Sequence, residues 1–320
     1  MNRTTVSLIA AVMAAGATRA ATTLRAPTAI QPFQALPGPD HTVRPTDLAW
    51  LDNGKVTIAV GSSSEVEAAI TAPHFQVAYG QRTLEIDDPE TGFYGYRRTD
   101  RPLHLSTAIA LSQVGLGGDF FDLALGASFE RDKRRFDTIT TETGSAGIRQ
   151  SADLSAAIRL GAWRATGSIL DAVDIQSDAG TTSDPRMAFD LGRLEDGAPQ
   201  FGARFEFPLR IGGEAGLRLG VGREFRQALH FSAEIGTTYR EQTDTTAHDR
   251  SWMRRSLEAS IGTSLRFRPR QTSDPDWIQV LVDPFGGSSG RILRDMQIGV
   301  QGTWDLVHAG RGALTLGRDF

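Results

Sequence analysis

The chain has 320 residues, with 34 Lys plus Arg against 38 Asp plus Glu and a formal net charge of −4. That balance excludes the basic footprint of a nucleic-acid partner. The absence of cysteine excludes disulfides, Cys-based zinc sites and thiol catalysis. Lysine occurs only at Lys55 and Lys133, so arginine carries almost all the positive charge, and 34 glycines suit a β-rich chain with many turns.

Residues 1–20 read as a signal peptide. Arg3 supplies a basic start, Val6 to Ala17 is an apolar run too short to span a bilayer as a helix, and cleavage after Ala17 or Ala20 follows small residues. Residues 21–72 read as a Pro-rich lead-in, within which Lys55–Gly61 is a short strand and Ser64–Ala72 a short helix with a serine start. No later apolar run is long enough for a transmembrane helix.

From 73 to 320 the chain alternates apolar and small-or-polar side chains with period two, which is the signature of strands. The phase is clearest in four segments. Phe201, Ala203, Phe205, Phe207 and Leu209 oppose Arg204, Glu206 and Arg210, and Leu217, Leu219 and Val221 oppose Arg218 and Glu224. Leu229, Phe231, Ala233, Ile235 and Tyr239 oppose His230, Ser232, Glu234 and Arg240. Leu257, Ala259, Ile261, Leu265 and Phe267 oppose Glu258, Ser260, Ser264 and Arg266. Eight more segments complete the set: 75–86, 103–114, 120–130, 152–160, 165–175, 187–194, 296–306 and 312–320.

Twelve strands of this length, joined by alternately short and long links, predict an all-β fold, a closed antiparallel transmembrane β-barrel. With Phe320 on the inner side, the outer links fall at 87–101, 131–150, 176–186, 210–215, 240–252 and 307–311. Counting Trp277–Asp283 and Lys55–Gly61 as strands gives fourteen, but inverts the sidedness of most links, so twelve is preferred. Phe121, Phe129, Trp163, Phe225, Tyr239, Trp252 and Trp304 are candidates for interfacial girdles, and the lipid-phase Arg223 and Arg318 lie near strand ends.

The final strand ends on Leu314, Leu316 and Phe320, with Arg318 where an apolar residue is commoner. It resembles the C-terminal assembly signal of bacterial outer-membrane barrels. That resemblance implies outer-membrane location, outer-membrane lipids as surroundings and the barrel-assembly machinery as a partner. The stretch Phe205 to Arg210 closing on Gly212-Gly213 is similar to a strand of autotransporter translocator barrels, although only about fifty residues separate signal and barrel here.

Catalytic constellations are sparse. His104-Leu105-Ser106 resembles, in two residue types, the His-x-Ser element of outer-membrane phospholipase A, but no asparagine is placed to complete it. His230 and Ser232 form a second such pair. Asp40-His41 and His248-Asp249 are similar to the acid–histidine pairs of omptin-type surface proteases. Asp87-Asp88-Pro89-Glu90 lacks the ligand spacing of a calcium loop. The six histidines show no His-x-His or HExxH spacing, so no metal or other cofactor is expected.

The lumen is therefore the predicted site, lined by Arg204, Glu206, Arg210, Arg218, Glu224, His230, Glu234, Arg240, Glu258 and Arg266. A channel, transport or secretion-type barrel is the leading expectation. The alternatives are a surface enzyme acting on lipid or peptide and a structural or adhesive barrel acting through 87–101, 131–150 and 240–252.

Overall fold

The structure, a computed structural model, describes residues 45–51, 54–61, 66–88, 93–118, 120–138, 141–176, 185–193, 199–209, 214–226, 228–244, 249–284, 296–305 and 311–319. The expected signal peptide, most of the lead-in, Asp40-His41, Glu90, Arg210, His248 and Phe320 lie outside them.

Strands β1 (Lys55–Gly61), β2 (Val66–Ala72), β3 (Phe75–Asp88), β4 (Phe93–Ala110), β5 (Phe121–Thr138), β6 (Thr141–Leu160) and β7 (Trp163–Gln176) form the first half of the sheet. The second half is β8 (Arg186–Arg193), β9 (Pro199–Pro208), β10 (Glu214–Phe225), β11 (Leu229–Asp244), β12 (Asp249–Arg266), β13 (Met296–Asp305) and β14 (Arg311–Asp319). Each pairs antiparallel with its sequence neighbours, and β1 pairs with β14 through Ile58↔Leu316, so fourteen strands close a barrel. Closure leaves no unpaired edge, which is what a sheet inside a membrane requires.

The wall has two chemically distinct faces. Outward stand Ile58, Ile70, Tyr79, Ile109, Leu125, Ile158, Phe189, Phe205, Leu219, Phe231, Ile235, Ile261 and Leu316, all exposed. Inward stand buried alanines (Ala59, Ala69, Ala78, Ala108, Ala124, Ala157, Ala188) and buried polar groups (Gln76, Asp132, Ser155, Thr166, Asp190, Arg204, Arg218). An apolar band this extensive on the outside of a closed sheet is the surface of an outer-membrane-type barrel, stable against lipid and not against water. Arg223 and Arg318 do face outward, within three residues of the turn-end termini of β10 and β14.

Several expectations are corrected. The strand count is fourteen rather than twelve, and the barrel starts at Lys55 rather than at 73. The segment expected as a helix, Ser64–Ala72, supplies β2: Val66, Ala68 and Ile70 face lipid while Ala69 and Thr71 are buried inside. Sheet closure overrides the helical preference of Glu-Ala-Ala. Trp277–Asp283 is the reverse case, because the structure has a helix, α1 (Asp276–Val282), where the fourteen-strand alternative placed a strand. Both added strands precede β3, so the links divide between the same two ends as in the twelve-strand count. Leu111–Val114, expected as the end of a strand, is a 3-10 turn closed by Gly115 at φ 77. Links expected at 87–101, 131–150 and 240–252 are largely hairpin ladder, with pairs such as Lys133↔Ile148 and Gln242↔Ser251. β6 alone has 20 residues, whereas crossing a bilayer takes about 9–11. Three hairpins therefore project from the loop end, opposite the turn end that holds both ends of the described chain.

Candidate functional site

At the turn end the chain enters the barrel. Pro45–Trp50 forms a 3-10 turn whose Thr46, Asp47, Leu48 and Ala49 are buried. Leu48 and Ala49 pack on Ala108, Ala110 and Ala124, inward residues of β4 and β5. Those positions are small because the segment occupies the space a larger side chain would take. Gly126 shows the limit: a Cβ there would stand 2.6 Å from the backbone nitrogen of Thr46.

Polar contacts then fix this mouth segment. A guanidinium nitrogen of Arg164 on β7 meets Asp47 Oδ1 at 2.5 Å, with both side chains buried. Trp50 Nε1 donates to Asp122 Oδ2 at 2.8 Å, and the same carboxylate accepts from the backbone nitrogen of Ser112 at 2.9 Å. Arg159 and Arg164 lie 5.4 and 6.0 Å from the Trp50 ring centroid, within cation–π range. The His74 backbone nitrogen donates to Leu48 O at 2.8 Å, and the Gln113 side-chain Nε2 donates to Ala49 O at 2.8 Å.

Deeper in the lumen a charged row crosses five strands. Asp190 on β8 is register partner of Arg204 on β9, Arg204 of Arg218 on β10, Arg218 of Gly236 on β11, and Gly236 of Glu258 on β12. Arg204 Nε donates to Glu206 Oε1 at 2.8 Å and its guanidinium stands 3.6 Å from Asp190. Arg186 holds the other Glu206 oxygen at 3.0 Å. Arg218 bridges Glu234 at 3.3 Å and Glu258 at 3.1 Å. On the adjoining strands β5 to β7, Arg149 pairs with Asp171 at 2.8 Å, and Asp153 accepts from the Asp171 backbone nitrogen at 2.7 Å and from Ser128 Oγ at 3.0 Å.

The predicted lumen residues divide accordingly. Arg204, Glu206, Arg218, Glu234 and Glu258 come together in one network. Glu224 and His230 are register partners near the turn end, and Arg266 is paired in register with Gln297 there. Arg240 lies on β11 opposite Glu214 and Met253. Leu314 is half-buried and Leu316 exposed on β14. Sequence reading missed Asp190, Arg186, Asp47 and Arg164. Asp190 was legible, since it alternates in phase with the inward Ala188; Arg186 was read as a link, and Asp47 sits where no periodicity exists.

The catalytic alternatives fare unevenly. Ser106 Oγ and His104 Nε2 do meet, at 2.7 Å, but Ser106 is 2% exposed and faces the lumen, closed to a lipid or peptide backbone. His230 Nε2 has no hydrogen-bond partner among the described residues. No group of His, Asp and Glu able to hold a metal occurs among the described residues.

No protein-family model matches the chain, and no curated protein sequence matches it. Solved structures do match. CdiB from Acinetobacter baumannii is similar over 84% of this chain at 9% identity and a TM-score of 0.40, and the chain spans 60% of its length. The TodX deltaS2S3 mutant monoaromatic hydrocarbon channel is similar over 87% of this chain and 92% of its own, at 7% identity and a TM-score of 0.44. A Pseudomonas aeruginosa FadL homologue gives 86% and 92% coverage, 8% identity and a TM-score of 0.45. These likenesses are distant, and the barrel is established by the strand pairing of this chain itself.

Proposed function

We propose that the protein lies in the outer membrane of a bacterial cell as a transport-type barrel for small polar solutes, with a lumen held narrow at rest by its own ion pairs and by the mouth segment. The observation that carries this reading is the row Asp190–Arg204–Arg218–Glu258, charge placed inside a wall whose outside is apolar. A barrel built only for rigidity has a less costly filling available, because buried ion pairs replaced by packed apolar residues are often neutral or stabilising. Charged lining is what gives barrel conduits their selectivity. The basic and apolar start of the chain supports export. The outward Leu314 and Leu316, followed in phase by Phe320, support handling by the barrel-assembly machinery. A secretion-type barrel is favoured by one observation alone, the mouth segment lying inside the wall.

Planar-bilayer recording tests the proposal. The wild type is expected to conduct in rare, small steps. Replacing Arg204 and Arg218 with alanine should raise the open fraction and shift selectivity toward cations, since fixed positive charge is removed. Silence from both proteins, with heat-modifiable barrels intact on gels, overturns transport and favours a structural or adhesive role for the projecting hairpins.

A further inference from the structure

Helix α1 is apolar at five of its seven positions, the exceptions being the exposed Asp276 that opens it and Gln279. Ile278 and Val282, one turn apart, are buried against Ala228, Leu229 and Leu265. Leu229 and Leu265 are register partners in the outward phase of β11 and β12, so α1 lies on the outside of the wall at its turn end. Its other face carries Trp277, Val280 and Leu281, exposed by 53%, 59% and 40%. Trp277 stacks on Phe225, an outward residue of β10, with ring centroids 6.1 Å apart and planes 10° from parallel. The one polar residue between them, Gln279, is turned back to donate to the Asp274 carbonyl at 2.8 Å.

The loop holds this helix in one place. Arg268 grips both oxygens of Asp274 at 2.8 and 3.0 Å and donates to the Arg226 carbonyl at 2.7 Å, while its own backbone nitrogen bonds Val282 O at 3.2 Å. Apolar residues on two opposed faces of a helix are stable where both faces leave water. One side of α1 meets the wall. The other is continuous, through Phe225, with the apolar band that faces lipid.

We infer that α1 is an in-plane membrane anchor whose Trp277, Val280 and Leu281 bind the headgroup–acyl boundary of a phospholipid leaflet at the turn end and set the depth of the barrel. Tryptophan concentrates at that boundary, and short helices with an apolar face lie flat in it. The inference rests on the membrane-spanning reading of the wall.

The cysteine-free chain permits single nitroxide labels in the full protein, reconstituted in phosphatidylcholine–phosphatidylglycerol vesicles. At V280C and L281C, collisions with oxygen should exceed collisions with a water-soluble nickel chelate, as at I261C on the wall. At S273C in the polar loop the ratio should reverse. V280C and L281C behaving like S273C, with I261C in lipid, overturns the anchor and leaves the barrel standing. A water-exposed I261C overturns the wall reading itself. Emission of Trp277, with the other four tryptophans replaced by Phe, gives a label-free reading: loss in brominated phospholipid is expected, and unchanged emission overturns the anchor.

Discussion

Arg218 and Glu258 lie two strands apart, on β10 and β12, yet meet at 3.1 Å because the residue between them in register is Gly236. A Cβ at that position would stand 3.0 Å from Arg218 Cγ and 3.1 Å from a guanidinium nitrogen. Gly236→Val should therefore push the guanidinium off Glu258, at a cost of roughly 1–3 kcal/mol for the forced displacement. The open fraction in bilayer recordings should rise with it. A changed urea midpoint with unchanged conductance would show that the row supports the wall without narrowing the path.

The mouth segment offers a second, independent obstruction. Asp47→Ala removes the carboxylate from buried Arg164, and breaking a buried pair from one side costs about 3–5 kcal/mol. The segment should therefore loosen in the lumen while the barrel, closed strand to strand, persists. Gly126→Ala should produce the same phenotype by a steric route. Raised conductance in both variants, with normal heat-modifiable migration, is the expected result. Wild-type conductance in both places the constriction elsewhere.

The outer face is tested by charge. Ile261 is 59% exposed in mid-strand, opposite Ala233 and Gly302, while its neighbour Gly262 takes the inward phase. Ile261→Arg should cost about 2–4 kcal/mol and impair insertion, as charge at the midplane of a barrel does. Gly262→Arg should be milder, because the lumen already carries charge. Equal tolerance at both positions, measured by vesicle insertion yield, would contradict the assignment of faces.

Alternation made the wall legible because lipid imposes one rule on every outward side chain. Phe205, Phe231 and Ile261 obey it, and Arg204, Arg218 and Glu258 are its complement, so fold class, the two faces of the wall and half of the ion-pair row were readable. The rule stops where its cause stops. Past the bilayer both faces of a hairpin meet water, so 131–150 looked like a polar link although its ladder continues. β2 was hidden because its inward residues, Ala69 and Thr71, are small for packing reasons and its sequence favours helix. Asp47 and α1 were hidden because each is placed by a single contact set, with Arg164 or with Leu229 and Leu265, that leaves no periodic trace.

The loop that carries α1 makes a prediction about pH. Hydrogen bonds from Arg268 hold the Asp274 carboxyl below its ordinary value, aided by the backbone nitrogen of Gln271. A carboxylate with a lowered folded-state pKa stabilises the fold above its unfolded value of about 3.9 and loses that contribution only as pH falls through the lower folded value. Hydrogen exchange of 267–284 in proteoliposomes should therefore stay slow from about pH 7 to about pH 4, after correction for intrinsic rates, and quicken only below. Asp274→Asn removes the charge that Arg268 grips, so exchange should be fast across the whole range while the strands β11 and β12 remain protected. Early loss of protection in the wild type, well above the ordinary carboxylate range, would mean that another group governs the loop. Slow exchange in the Asn variant would mean that packing of Ile278 and Val282 on the wall holds α1 without the ion pair.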